Sequence, residues 1–164
     1  MKNNKSIVLD TTYVLPLFGI EIKLIPEFIE KLDQIWSKGL KNYKIYLPSI
    51  CLIEVMYKLL SEYRKKPDLK IINRYQLILP TVLNSPIKIF NTELSQKGSL
   101  IAIKIRHAGH NDVLDCWIAA SAAALNAILL TEDKDLKNIL KTVPDTKNLQ
   151  VWTWKDLIRE MFPK

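Results

Sequence analysis

Apolar and polar positions along this chain alternate between two periods. Short, nearly continuous apolar runs recur at Ser6–Leu9, Lys44–Leu47, Ile87–Phe90, Ala127–Leu130 and Leu149–Thr153. Runs of that length, rich in Ile, Val and Leu, read as strands of a sheet buried on both faces. Longer stretches between them carry apolar residues three and four apart, the spacing of a helical stripe. The clearest is Ile25 to Leu40, with Ile25, Phe28, Ile29, Leu32, Ile35 and Trp36 on one side and Gly39 at the expected stop. Further helices are predicted from Ile50 to Tyr63 with Ser49 as cap, from Leu69 to Leu83 despite Pro80, and from an Asn91 or Thr92 cap to His107. A short helical turn is expected over Tyr13–Phe18, a basic linker over Arg64–Pro67, and a last helix over Trp154–Met161. No internal repeat is present. Strands alternating with helices imply a parallel sheet covered on both faces.

The stretch from Asn111 to Leu136 organises the rest. Asp112 precedes an apolar run and Asp115 follows three residues later, so Asp112 is the predicted N-cap and Asp115 lies in the first helical turn. Cys116 to Leu125 is apolar nearly all round and rich in Ala, which marks a closely packed, buried helix. Asn126 ends it, Ala127–Leu130 forms the strand, and Thr131-Glu132-Asp133-Lys134-Asp135 puts carboxylates at that strand's C-terminal end. That edge of an open α/β sheet is where sites are built. Asp135 reads as the cap of a short helix over Leu136–Leu140, and Glu132 as exposed.

Composition narrows the class only modestly. With 164 residues, 48% hydrophobic and 25% charged, one globular domain over 1–164 is expected. The apolar stretches are too short for a membrane span, and the Lys-bearing start is followed by only a few apolar residues before Asp10, so neither an anchor nor a signal peptide is expected. The net charge of +7 is spread almost evenly over the two halves, which suits a polyanionic partner and equally suits simple solubility. Cys51 and Cys116 lie in apolar surroundings without ligand-like spacing, so buried free thiols and a reducing cytoplasm are expected.

Four acids stand at element ends: Asp10 after the first strand, Glu54 early in a helix, Asp115 in another helix's first turn, and Asp133 after a strand. Glu54 sits among Ile50, Ile53, Val55 and Met56, so it is either solvent-facing by rotation or a functional buried acid. A parallel sheet can bring such positions together, and clustered carboxylates need a cation. Hard oxygen donors suit Mg²⁺ or Mn²⁺, and two such ions can stabilise the attacking and leaving oxygens of a phosphodiester displacement. Thr11, Thr12 and Thr131 can hydrogen-bond a carboxylate, a water or a phosphate. For any single acid, solvation or capping is the commoner role. His107 and His110 flank Gly109 as exposed loop histidines would, and no Ser or Cys nucleophile is arranged with them. Lys58, Arg64, Lys65, Lys66, Lys97, Lys104 and Arg106 matter only if they rim an acidic pocket, and Trp117, Trp152 and Trp154 read first as core or interface.

The ordered set Ile7-Val8-Leu9-Asp10-Thr11-Thr12, Leu47-Pro48-Ser49-Ile50-Cys51-Leu52-Ile53-Glu54-Val55, Asp115-Cys116-Trp117-Ile118-Ala119-Ala120-Ser121-Ala122 and Ile128-Leu129-Leu130-Thr131-Glu132-Asp133-Lys134-Asp135-Leu136 resembles the PIN-domain nucleases, especially the VapC-type toxins of prokaryotic toxin–antitoxin pairs. The likeness runs from Ser6 to about Trp154. It implies a PIN-like three-layer α/β/α sandwich with a five-stranded, mainly parallel sheet. It further implies metal-dependent cleavage of single-stranded RNA at a Mg²⁺ or Mn²⁺ site, and homodimers blocked by an antitoxin protein. The family's four acids fall on Asp10, Glu54, Asp115 and Asp133, with Thr11, Thr131 and Asp112 in support. Two departures stand out. Cys116-Trp117 replace small and aliphatic residues, and Asp112 adds a carboxylate where Ser or Thr is usual, which leaves open whether it too reaches the metal.

Two other classes compete. A non-catalytic PIN-like module binding RNA or protein has no need of the intact set of four acids. An aspartate-phosphorylating domain could use Asp10 after its first strand. However, a haloacid-dehalogenase-type phosphatase wants a second Asp where Thr12 stands, and a receiver-type regulator wants paired acids that the first strand's end lacks.

Overall fold

The computed structural model of the protein describes residues 5–22 and 28–161. Five strands, β1 (Lys5–Leu9), β2 (Tyr43–Pro48), β3 (Lys88–Phe90), β4 (Ile128–Leu130) and β5 (Val151–Trp152), form one all-parallel sheet in the order β3-β2-β1-β4-β5. Ile7 is in register with Ile45 on one side and Ile128 on the other. Successive strand residues point to opposite faces, and Ile7 and Val8 are both wholly buried, so both faces of the central strand are covered. This is the predicted α/β sandwich.

Among the described residues seven helices cover the sheet: α1 (Phe28–Lys38), α2 (Ser49–Lys65), α3 (Leu69–Leu83), α4 (Gln96–His107), α5 (Val113–Ala124), α6 (Lys134–Leu140) and α7 (Trp154–Met161). The predicted stripe survives in α1, where Phe28, Leu32, Ile35 and Trp36 are buried, and Gly39 with φ 69° ends the run; Ile25 lies outside the described residues. The all-round apolar helix α5 buries Cys116 and every residue from Ile118 to Ala123, and Asn126, at φ 50°, turns the chain out of it into β4. Gly98 lets α4 approach closely, since a Cβ there would meet Thr92 Cγ2 at 2.9 Å. No helix among the described residues is long and apolar enough to cross a membrane.

Several local expectations are corrected. The helix expected from Asn91 or Thr92 is two elements. A 3₁₀ turn covers Thr92–Leu94, and the Ser95 hydroxyl then caps α4 by accepting the Gly98 N–H at 3.0 Å. A Ser side chain competing for backbone donors stops one element and starts the next. Ser49 is the first residue of α2 rather than its cap, and its hydroxyl donates to Glu93. Arg64 and Lys65 are no linker but the last turn of α2, where cations complement exposed carbonyls. The turn after β1 is two 3₁₀ pieces, Thr11–Tyr13 and Leu15–Phe18, with Pro16 in the first turn of the second. The final strand is Val151–Trp152 alone. Trp154 is core, 4.7 Å from Phe28 and 5.8 Å from Tyr13 between ring centres, whereas Trp117 and Trp152 are half-buried at its edge.

Candidate metal centre

After β1 the chain continues outward to β2 and β3, then returns to place β4 on the opposite side of β1. That reversal opens a crevice beyond the C-terminal ends of β1 and β4. Asp10 stands there. Its N–H donates to the Leu130 carbonyl at 3.1 Å, which locks the two strand ends together. Its Oδ1 accepts the Thr12 N–H at 3.4 Å and its Oδ2 accepts the Thr131 hydroxyl at 2.6 Å. The residue is 8% exposed. Burial pushes its carboxyl up to about 7; the Thr131 hydrogen bond opposes this, and the charges of Asp115 and Glu54 add to it.

Thr131 joins the second acid to the first. Besides donating to Asp10, its hydroxyl accepts the Asp133 N–H at 3.1 Å. Asp133, not Asp135, caps α6: Asp133 Oδ1 accepts the Leu136 N–H at 2.9 Å, and Asp135 lies exposed within the first turn. The cap sits one residue before Lys134, because the helix begins two residues earlier than its apolar pattern does. Glu132 is also corrected. It is half-buried and turned to the core, where one carboxylate oxygen accepts both the Tyr13 hydroxyl at 2.8 Å and the Trp154 N–H at 2.7 Å.

The third acid comes from α5. Asp112 is its N-cap as predicted, with Oδ1 accepting the N–H groups of Leu114 at 2.8 Å and Asp115 at 3.4 Å. Asp115 is half-buried, and burial raises its carboxyl to about 6; the His110 hydrogen bond lowers it, while Asp112 and Asp133 push it up. Glu54 arrives from the second turn of α2. Its side chain is 18% exposed, 3.9 Å from Lys58 Nζ, so it is neither free in solvent nor in the core. Three residues earlier on the same helix, the buried Cys51 thiol lies under the end of β1. Burial first, then the charges of Asp10, Glu54 and Asp115, hold that thiol well above its ordinary value. The thiol thus feels all three carboxylates. Thr11 is buried against the same thiol rather than bonded to a carboxylate.

His110 departs from the exposed position expected of it. It is no exposed loop residue: it is 6% exposed, and its Nε2 lies 3.2 Å from Asp115 Oδ2. Nitrogen and carboxylate oxygens from His110, Asp115 and Asp133 fall within 4.8 Å of one another. Arg106, one turn before, donates to the His110 carbonyl at 2.6 Å. The only local signal is Gly109, whose φ of 108° lets the chain fold back after α4. Of the basic positions, Lys58 stands beside Glu54 and Arg106 holds the backbone at His110; Lys104 pairs with Asp145 at 2.8 Å and Lys97 reaches the C-terminal carbonyl of α5.

The PIN domain family profile matches residues 7–141, a span that holds all four acids. The chain belongs to the PIN domain family. No curated protein sequence matches it at a significant level. Among solved structures, it is similar to a chain of VapBC2 from Rickettsia felis bound to a DNA fragment from its promoter, with 21% identity, TM-score 0.60, and 91% of this chain and 98% of that one covered. It is also similar to a chain of VapBC-1 from nontypeable Haemophilus influenzae, with 19% identity, TM-score 0.56, and 92% and 98% covered. A third likeness is to PAE2754 from Pyrobaculum aerophilum, with 11% identity, TM-score 0.59 and full coverage of both chains.

The donor set of this PIN domain fits a divalent ion. Asp10 and Asp115 are each raised by burial and by neighbouring carboxylates, and Lys58, which lies 3.9 Å from Glu54, is itself half in solvent. Oxygen donors with surplus negative charge in a crevice are what Mg²⁺ or Mn²⁺ offset.

Proposed function

We propose that this PIN domain is a divalent-metal-dependent endoribonuclease that cleaves single-stranded RNA and serves as the toxin of a toxin–antitoxin pair. The observation that carries the reading is the gathering of Asp10, Glu54, Asp115 and Asp133 around the crevice where the strand order reverses. These four would hold Mg²⁺ or Mn²⁺, with Thr11, Thr131 and Asp112 in support. When bound, the ion supplies Lewis acidity and offsets charge on the phosphodiester. The chain's own residues set the rest. Thr131 fixes the Asp10 carboxylate and Asp112 holds the first turn of α5, so both ligands keep one orientation without substrate. Lys58, paired with Glu54 and half exposed, can receive the phosphate chain.

An antitoxin partner and a homodimer are part of this proposal, supported by fold likeness to chains from VapBC complexes. So are one domain over residues 1–164 and a reducing cytoplasm, the latter supported by two free buried thiols. The test is cleavage of single-stranded RNA by the purified full chain, with Mg²⁺ or Mn²⁺ and with EDTA. Cleavage that EDTA stops and Asp10→Asn abolishes is expected. Cleavage indifferent to both, or RNA binding without cleavage at any metal concentration, overturns the reading.

A further inference from the structure

We infer that His110 is a nitrogen ligand of this centre, set beside Asp115 and Asp133, and that it biases the site towards first-row transition ions such as Mn²⁺ and Co²⁺ and against Mg²⁺. The inference rests on the metal-dependent reading above and extends it to a residue outside the four acids.

Three independent features carry it. The first is reach. An ion with donors about 2.1 Å away spans at most about 4.2 Å between opposite donors. A ring nitrogen of His110 and one oxygen each of Asp115 and Asp133 lie within 4.8 Å of one another, so side-chain rotation closes them on one ion without moving the backbone. The second is placement. An imidazole 94% removed from solvent, with Nε2 turned to two carboxylates instead of to water, occupies space that an apolar side chain would fill at less cost. The third is anchoring. Arg106 grips the His110 carbonyl at 2.6 Å and the Asn111 side chain at 3.4 Å, which fixes the backbone that aims the ring. Asp133 Oδ1 is committed to the Leu136 N–H, so Oδ2 is the oxygen left for an ion, and the Asp112 cap fixes Asp115.

The chemistry follows from donor type. Mg²⁺ prefers an all-oxygen shell and sheds water reluctantly, whereas imidazole nitrogen suits transition ions, increasingly so from Mn²⁺ to Co²⁺. One imidazole among carboxylates therefore tilts selectivity without abolishing Mg²⁺ binding. A His that merely hydrogen-bonded Asp115 would strengthen or weaken all three ions alike.

The test uses the full chain and the metals themselves. Titration calorimetry measures Mg²⁺, Mn²⁺ and Co²⁺ binding to the wild type and to His110→Asn, whose amide still hydrogen-bonds Asp115. Pulsed electron paramagnetic resonance of the Mn²⁺ form looks for nitrogen coupling, with and without ¹⁵N-labelled histidine; the chain has two histidines, so His107→Gln is the control. The expected result is a wild-type preference for Mn²⁺ over Mg²⁺ of about 30-fold or more, larger for Co²⁺, falling at least about tenfold in His110→Asn while Mg²⁺ affinity holds. A histidine nitrogen signal that survives in His107→Gln is expected in the wild type, and that measurement stands even if His110→Asn fails to fold. Equal loss of all three ions in His110→Asn, or no nitrogen coupling in a wild type that binds Mn²⁺, overturns this inference and leaves the nuclease reading intact. Failure of the wild type to bind any of the three ions overturns both.

Discussion

The Thr131 hydroxyl, at the end of β4, donates a 2.6 Å hydrogen bond to Asp10 Oδ2, at the end of β1, and both residues are buried. Because the same hydroxyl accepts the Asp133 N–H, one side chain sets the spacing of two acids 123 positions apart. Thr131→Val keeps the shape and removes the bond. It should lower stability by about 1.5–3 kcal/mol at pH 8, the range for a hydrogen bond to a charged group, and raise the Asp10 carboxyl further. Thr131→Ser should retain most of both. Urea denaturation of the three proteins decides, and equal midpoints would show that the bond is idle.

The raised carboxyls make the metal-free protein pH-sensitive in a defined direction. Asp10 moves from 3.8 to about 7 on folding and Asp115 to about 6, so between those values the folded state holds protons that the unfolded state has released. Their contribution is complete below about 4 and is lost as pH rises through about 6 and then 7. In EDTA the melting temperature of wild type should therefore fall between pH 5 and 8 relative to Asp10→Asn, which has no such proton to lose. Added Mn²⁺ binds the ionised form and should remove most of that difference. Parallel melting curves for the two proteins in EDTA would contradict this.

Asp112 and Asp115 are three residues apart with different work. Asp112→Ser keeps a capping oxygen for Leu114 and Asp115, so fold and RNA cleavage should persist. Asp115→Asn keeps the shape without the charge, and metal-dependent cleavage should drop at least about a hundredfold, or about 2.7 kcal/mol of transition-state stabilisation. Circular dichroism before the RNA assay confirms that both variants fold. The reverse outcome would move the ligand to Asp112.

Glu132 and Asp133 are neighbours with opposite roles. Glu132→Ala removes the acceptor of two hydrogen bonds, from Tyr13 and from the Trp154 N–H, and should cost about 2 kcal/mol of stability while leaving cleavage per folded molecule unchanged. Asp133→Asn should do the opposite, because its amide oxygen can still cap α6. Chemical denaturation paired with initial cleavage rates separates the two.

What the sequence by itself determined is local or periodic. The apolar runs became β1 to β5, the stripe on α1 became its buried side, and Asp112 became a cap, because burial periodicity and backbone capping act within one or two turns. The motif order also placed Asp10, Glu54, Asp115 and Asp133 at element ends. Only the tertiary structure decided which polar groups meet. Nothing near Glu132 says that it faces Tyr13 and Trp154 while its neighbour faces the acids, since both outcomes suit a polar loop. Nothing near Asp135 says that Asp133 takes the cap, because either aspartate can precede that helix. His110 has no period to betray it. Its burial against Asp115 depends on the Gly109 turn and the Arg106 tether after α4 and α5 have packed. Sheet order is the common cause: once β4 lies beside β1, groups more than a hundred residues apart share one low-dielectric crevice, and only there do their charges and hydrogen bonds select each other.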